Sequence, residues 1–298
     1  MANMVHAQSP ALVEAYNRFN TYYQQGRYSD AIPYATEALR LSEDKFGPDH
    51  PTTVSILNNL AFLYAAQGNF ADAEPLYQRS LAIKEKGLGP EHPDVAASLN
   101  NLAWLYQDQG NYSDAEPLYR RSLAIREKAL GPEHPDVATG LNNLAELFRA
   151  QGNDVEAEPL YRRSLAISEK ALGPDHLGLA ASLNNLAALN RDQGNYAEAE
   201  PLFQRSLAIA ERALGPEHPN VATSLSNQAE LLRTQGKYVE AEPLYQRSLA
   251  IMEKALGPEH PNVAKVLDSY AALLRETGRD DGAEEMEGRA KAIRAKYE

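Results

Sequence analysis

A glycine that follows Gln or Thr returns at Gly26, Gly68, Gly110, Gly152, Gly194, Gly236 and Gly278, always 42 residues apart. A second marker, Gly-Pro followed by Asp or Glu and then His, begins at Gly47, Gly89, Gly131, Gly173, Gly215 and Gly257 with the same period. Two markers in fixed phase make the chain seven copies of one supersecondary unit joined by six linkers, with copies near 10–47, 51–89, 93–131, 135–173, 177–215, 219–257 and 261–298. A unit this small cannot bury its apolar face alone, so the copies are expected to stack and share a core as a single domain over 10–298, after a leader of residues 1–9.

Within the third copy, Val95, Leu99, Leu102, Ala103 and Tyr106 recur at three- and four-residue steps, which puts them on one face of a helix. This helix A is expected from Pro93 to Gln109, with Pro93 at a first position that needs no N–H. Helix B follows Gly110 on the pattern Tyr112, Ala115, Leu118, Tyr119, Ser122 and Ile125, and is expected to end at Gly131 in a left-handed cap. Pro117, like Pro33, Pro75, Pro159, Pro201 and Pro243, lies early in helix B and predicts a late start or a slight bend. The fifth copy has His176-Leu177-Gly178 in place of His-Pro, which predicts a frayed or late helix A there. In the seventh copy Asp280, Glu285 and Glu287 replace aromatic residues and proline, as suits a terminal helix facing water.

Leu102, Ala103, Tyr106, Gly110, Tyr112, Ala115 and Tyr119 fall where the tetratricopeptide repeat carries its signature residues, and the unit resembles that family. The family's ordinary unit has about 34 residues; the additional ones here lengthen helix B and form the GPEHPDV linker. With LNNLA, AEPLY, LAI and LGPEHP, the longer form is similar to the repeats of kinesin light chains and their bacterial relatives. The resemblance implies an all-α, right-handed superhelical solenoid of seven stacked helix-turn-helix repeats. It further implies a concave wall of A helices that holds short extended peptides, often with an aromatic residue among acidic ones. Without a heptad-bearing segment ahead of the repeats, it does not imply a role in binding a motor heavy chain.

Positions that repeat unchanged are read as holding the units together, and variable positions on the opposite helix face as choosing a ligand. In the third copy these are Ala97, Asn100, Trp104, Gln107 and Asp108, which match groove-lining positions of the resembled family. Asn58, Asn100, Asn142 and Asn184, with Asn101 beside them, form a mid-helix asparagine ladder. Its amides suit the backbone of an extended peptide, or bonds to adjacent helices that fix the stacking angle. Phe62 and Trp104, the chain's one tryptophan, are candidate anchors for an apolar side chain, against the alternative of packing on a neighbouring helix. The Gln107 position becomes Arg149, Arg191, Arg233 and Arg275 in later copies, a basic stripe suited to a carboxylate-rich peptide. The competing reading pairs Arg149 and Arg233 with Glu146 and Glu230 three residues earlier, and Asp192 and Glu276 are also close.

A net charge of −12 argues against nucleic acid as partner, since phosphate binding needs clustered Lys and Arg. Without cysteine there is no thiolate chemistry and no cysteine-held metal. His50, His92, His134, His176, His218 and His260 are one period apart, too far to share a zinc ion, and are read as bonding backbone at the starts of A helices. Ser80, Ser122, Ser164, Ser206 and Ser248 are read as small residues at close helix contacts. There is no phosphate-binding glycine loop, HExxH or GxSxG, and Asn111-Tyr112-Ser113 is read as a chance match to a glycosylation acceptor. No enzyme activity, cofactor or membrane segment is expected. The preferred location is cytoplasmic; HAQS as the remnant of a processed signal gives the exported alternative. The expected function is a protein-interaction module that binds an extended peptide on its A helices. Its alternatives are a self-associating spacer array and a sensor segment of a larger effector.

Overall fold

The computed structural model describes residues 9–296, and among them every regular element is an α-helix. Two compact units divide the chain, one ending at Pro132 and the other beginning at Glu133. In the first, α1 (Pro10–Gln24) pairs with α2 (Tyr28–Phe46), α3 (Pro51–Ala66) with α4 (Phe70–Leu88), and α5 (Pro93–Asp108) with α6 (Tyr112–Leu130). In the second, the pairs are α7 (Pro135–Ala150) with α8 (Asp154–Leu172) and α9 (Leu179–Asp192) with α10 (Tyr196–Leu214). They continue as α11 (Pro219–Thr234) with α12 (Tyr238–Leu256) and α13 (Pro261–Glu276) with α14 (Asp280–Arg294). These are seven helix-turn-helix repeats, and within each unit every B helix also packs on the next A helix. Of the expected leader, residues 1–8 lie outside the described residues, whereas Ser9 belongs to the fold: its Oγ accepts the Leu12 N–H and caps α1. The polar terminal helix is α14, which buries Ala283, Ala290 and Ile293; residues 297–298 of that expected cap lie outside the described residues.

The linker histidines open the A helices. Nδ1 of His92 accepts the Asp94 N–H at 3.1 Å, and His50, His134, His218 and His260 do the same for the residue two positions on. Among the described residues no cluster of His, Asp and Glu is placed to hold a metal ion. In the fifth repeat His176 accepts from Gly178, and α9 begins late, at Leu179, because no proline pre-sets the first turn. Burial, reinforced by the charge of Lys265, pushes the His260 imidazole below its ordinary pKa of 6.5. A lowered folded-state value means that its contribution is complete above that pH and is lost as pH falls below it. The protection factors of the Asn262 and Val263 amides, corrected for the intrinsic pH dependence of exchange, are therefore expected to fall on acidification. His260→Asn, whose amide oxygen caps without a proton to gain, should remove that loss of protection, which amounts to about 1 kcal/mol of capping.

Two local expectations meet a correction. Of the late start or slight bend expected at Pro117, the late start does not occur: α6 starts at Tyr112 and runs through it. The carbonyl that loses its partner is that of exposed Ser113, where solvent can satisfy it. Gly131 has φ 88 as anticipated but ψ 154, which is extended mirror-image backbone and not a left-handed helical cap. Only glycine adopts that conformation readily, and a turn at Pro132 and Glu133 follows it before the next A helix begins.

The unchanging positions hold the repeats together. Ala31, Ala73, Ala115, Ala157, Ala199, Ala241 and Ala283 are each fully buried. The helix B serines reach back to the A helix of their own hairpin: the hydroxyls of Ser122, Ser164, Ser206 and Ser248 donate to the carbonyls of Ala96, Ala138, Ala180 and Ala222 at 2.7–2.9 Å. A second set of bonds joins successive B helices and linkers. Arg121 pairs with Glu85 at 2.7 Å and donates to the Pro90 carbonyl, and Lys128 pairs with Glu91. Arg247 with Glu211 and Pro216, and Lys254 with Glu217, repeat the arrangement in the second unit. Within each unit, linker carboxylates such as Glu91 and Glu217 thus tie one repeat to the next.

Candidate peptide-binding face

Phe62, Trp104, Asn58, Asn100, Asn101, Gln107, Asn142, Asn184, Arg149, Arg191 and Arg233 are all half-buried. None is sealed between neighbouring turns, and each sits on the A-helix face opposite the leucines and alanines of the core.

In the first unit the face is aromatic. Phe62 of α3 stacks on Trp104 of α5 with ring centres 5.8 Å apart and an interplanar angle of 22°. On its other side Phe62 takes the edges of Tyr23, at 5.7 Å, and Tyr28, at 6.1 Å. Tyr23 is 39% exposed, so the row from α1 to α5 is backed by core yet open along one side. Its members stand one repeat apart because their positions differ by 39 and 42 residues, close to one period. The flanking amides are engaged locally: Asn58 Nδ2 donates to the Val54 carbonyl at 3.1 Å, and Gln107 Oε1 accepts the Tyr119 hydroxyl at 3.0 Å. Asn58 takes the carbonyl that the serine pattern would give to Ser80, whose hydroxyl is left buried without a partner, as is Asn58 Oδ1.

In the second unit the face is a network of amides and ion pairs. Asn185 of α9 donates to Asn142 Oδ1 at 3.2 Å and to Glu146 at 2.6 Å, and Asn142 also donates to Glu146. Asn184 Nδ2 reaches Ser224 of α11, while its Oδ1 has no partner. These amides bridge neighbouring A helices, which is how they fix the stacking.

The arginines are held as well. Asp192 joins Arg149, at 2.8 Å, to Arg191, at 2.7 Å. Arg233, only 18% exposed, forks onto Glu230 at 2.6 Å and also meets Glu276. The expected pair Glu230 with Arg233 forms. Glu146 does not meet Arg149, because its carboxylate is taken by Asn142 and Asn185. Burial opposes the charge on Asp192 and Glu230. Hydrogen bonds from the arginines, and from Tyr245 to Glu230 at 2.6 Å, outweigh it and hold both carboxyls below their ordinary values.

Comparison with known proteins agrees with this architecture. The tetratricopeptide repeat profile matches overlapping spans at residues 13–86, 52–128, 105–170, 136–211, 178–254 and 221–296. The chain belongs to the tetratricopeptide repeat family. This tetratricopeptide chain is similar to the kinesin light chain nearly identical TPR-like repeats of Podosopora anserina, at 32% identity and a TM-score of 0.57, covering 69% of this chain and 97% of that one. It shares its fold with aspartyl phosphate phosphatase F of Bacillus subtilis, at 13% identity and a TM-score of 0.70, covering 95% of this chain and 71% of that one. The same holds for a Rap protein complexed with competence and sporulation factor, at 15% identity and a TM-score of 0.73, covering 96% and 76%. The search of curated proteins found no match. Tetratricopeptide arrays are protein-interaction scaffolds, and among the described residues no helix is long and apolar enough to cross a membrane.

Proposed function

We propose that this tetratricopeptide chain binds an extended peptide segment of a partner protein on its A-helix faces. The observation that carries the proposal is the open row Tyr23, Phe62 and Trp104. Half-buried aromatic rings held rigid by stacking lose little entropy on binding and offer a large apolar surface, so they select an aromatic or other bulky apolar side chain. Asn100 and Asn101 border the row with amides that suit a peptide backbone, beside Asn58 and Gln107, whose groups are bonded locally. In the second unit Asn142 and Asn184 already bridge neighbouring A helices and would serve a peptide only by giving up those bonds. Carboxylates of the ligand would reach Arg149, Arg191 or Arg233 by displacing Asp192 or Glu276, exchanging one ion pair for another. The selectivity of the ligand therefore resides mainly in its apolar side chain. Binding of a peptide factor to a protein of the same fold, the Rap protein complexed with competence and sporulation factor, supports the reading by analogy.

Selection from an unbiased peptide library against the full chain should return sequences that share an aromatic residue. Trp104 is the chain's one tryptophan, so its emission should shift on titration with a selected peptide. Phe62→Ala should weaken binding by roughly tenfold to a hundredfold, in line with the loss of an aromatic anchor. Its melting curve should retain full helical content. Failure to select any peptide, or equal affinity in Phe62→Ala, overturns the reading. Light scattering that grows with protein concentration and is indifferent to the substitution would instead indicate self-association.

A further inference from the structure

Four residues before each turn glycine, the A helices carry Tyr22, Tyr64, Tyr106, Phe148, Asn190, Leu232 and Leu274. Asn190 alone is neither aromatic nor aliphatic. What the larger residues do is clearest in the third repeat. There Tyr106 packs against the core cluster that contains Leu102, as do Leu81 of α4 and Leu118 of α6. Its hydroxyl donates to Glu74 at 2.8 Å and lies 3.4 Å from Gln78 Nε2. In the seventh repeat a tyrosine one turn earlier in the helix, Tyr270, does the same work. Its ring packs beside Leu244 and Met286, and its hydroxyl donates to Glu242 at 2.9 Å and accepts from Gln246 at 3.0 Å.

In the fifth repeat the two corresponding positions are Leu186 and Asn190, so neither supplies a ring. A cleft of about 440 Å³ lies at the matching place, lined by Leu165 of α8, Leu186 of α9, and Pro201 and Leu202 of α10, together with Arg162 and Glu198. The three leucines are the counterparts of Leu81, Leu102 and Leu118, 84 residues on. The counterparts of Glu74 and Gln78 are Glu158 and Arg162, which pair with each other at 2.8 Å. Asn190 itself is 1% exposed; its Nδ2 turns back onto the Leu186 carbonyl, and its Oδ1 is buried without a partner. A short amide thus stands where a ring would complete the packing.

We propose that this cleft receives a tyrosine side chain presented by a partner protein. The ring would lie against Leu165, Leu186 and Leu202, and the phenolic hydroxyl would donate to Glu158 beside Arg162. The occupant is named by the chain itself, which puts its own tyrosine ring into the equivalent place twice and gives each hydroxyl to the glutamate at the position of Glu158. The cleft lies mainly between B helices, so the proposal is independent of the aromatic row on α1, α3 and α5.

The test uses the full chain labelled at leucine methyl carbons and titrated with p-cresol, the tyrosine side chain as a free molecule. Saturating shifts are expected at Leu165, Leu186 and Leu202. Asn190→Tyr, which supplies the missing ring from within, should weaken them at least tenfold while leaving the helical melt intact or raised. Leu186→Tyr, which copies the placement of Tyr270 in the seventh repeat, provides the same closure should the first variant fold poorly. Glu158→Gln should weaken the shifts several-fold by removing the carboxylate acceptor. Absence of shifts at these leucines, shifts confined to methyls around Phe62 and Trp104, or shifts that persist in a folded ring-filling variant would each overturn the proposal.

Discussion

Phe203→Ala is expected to lower the free energy of unfolding by about 3–5 kcal/mol, the range for truncating a fully buried aromatic side chain. Phe203 is completely inaccessible and packs with Ala187, Ala199 and Leu231, so it touches both its own A helix and the next one. In a repeat array, stability is close to a sum of hairpin and nearest-neighbour terms. Removing this ring weakens one of each, and α9 already starts late. Urea titration of the full chain followed by far-ultraviolet circular dichroism measures the loss. A change below about 1 kcal/mol would show that the fifth hairpin is not held by this ring. Phe203→Tyr makes a sharper comparison. The equivalent Tyr245 gives its hydroxyl to Glu230, but the counterpart of Glu230 in α9 is Ala188. A hydroxyl at 203 would be buried without that acceptor, at a cost of about 1–3 kcal/mol.

The second large effect is expected at Glu230. Glu230→Ala leaves the Tyr245 hydroxyl without its acceptor and strips Arg233 of one of its two carboxylate partners. Together these should cost about 2–4 kcal/mol, because a group left unpaired in a buried setting loses its solvation without compensation. The pH dependence carries the same signature. Burial opposes ionisation of Glu230, yet the bonds from Arg233 and Tyr245 prevail and lower its folded-state pKa. Its contribution is therefore complete above the ordinary carboxylate range and disappears as pH falls through that range toward the lowered value. Denaturation curves collected from neutral to acid pH should show a smaller loss of stability on acidification in Glu230→Ala than in the native chain. A cycle with Tyr245→Phe should give a coupling of about 1 kcal/mol or more; additive effects would mean that the hydroxyl and the carboxylate act separately.

Much of the fold was legible because the forces that set it are local. The spacing of Val95, Leu99, Leu102 and Tyr106 defines a helix face, Pro93 and His92 open the helix, and Gly131 ends its partner, whatever lies further along the chain. The late start of α9 followed from His176-Leu177-Gly178 for the same reason. The late start considered at proline does not occur: Pro117 removes one hydrogen bond from an otherwise well-packed helix, and burial of Ala115, Tyr119 and Ser122 outweighs it.

Partner choice among the polar residues of the candidate face was much less legible. Arg149 had Glu146 three residues before it and Asp192 one repeat ahead, and exposed pairs of this kind differ by only a few tenths of a kcal/mol. The choice went to Asp192 because Asn142 and Asn185 had already engaged Glu146. The ties Arg121 to Glu85 and Lys128 to Glu91 were written in the sequence as opposite charges 36 and 37 residues apart. That signal becomes visible only once the period is subtracted. The cleft beside Leu186 was likewise announced by Asn190 breaking a run of large residues.

By itself the sequence determined seven hairpins and which face of each is apolar, since helix formation and amphipathic patterning depend on neighbours three and four residues away. Only the tertiary structure decided which polar groups of the A-helix face are spent on one another and which aromatic rings stay open. Those contacts join residues about 42 positions apart, and the rotation of one helix against the next selects among partners of nearly equal energy.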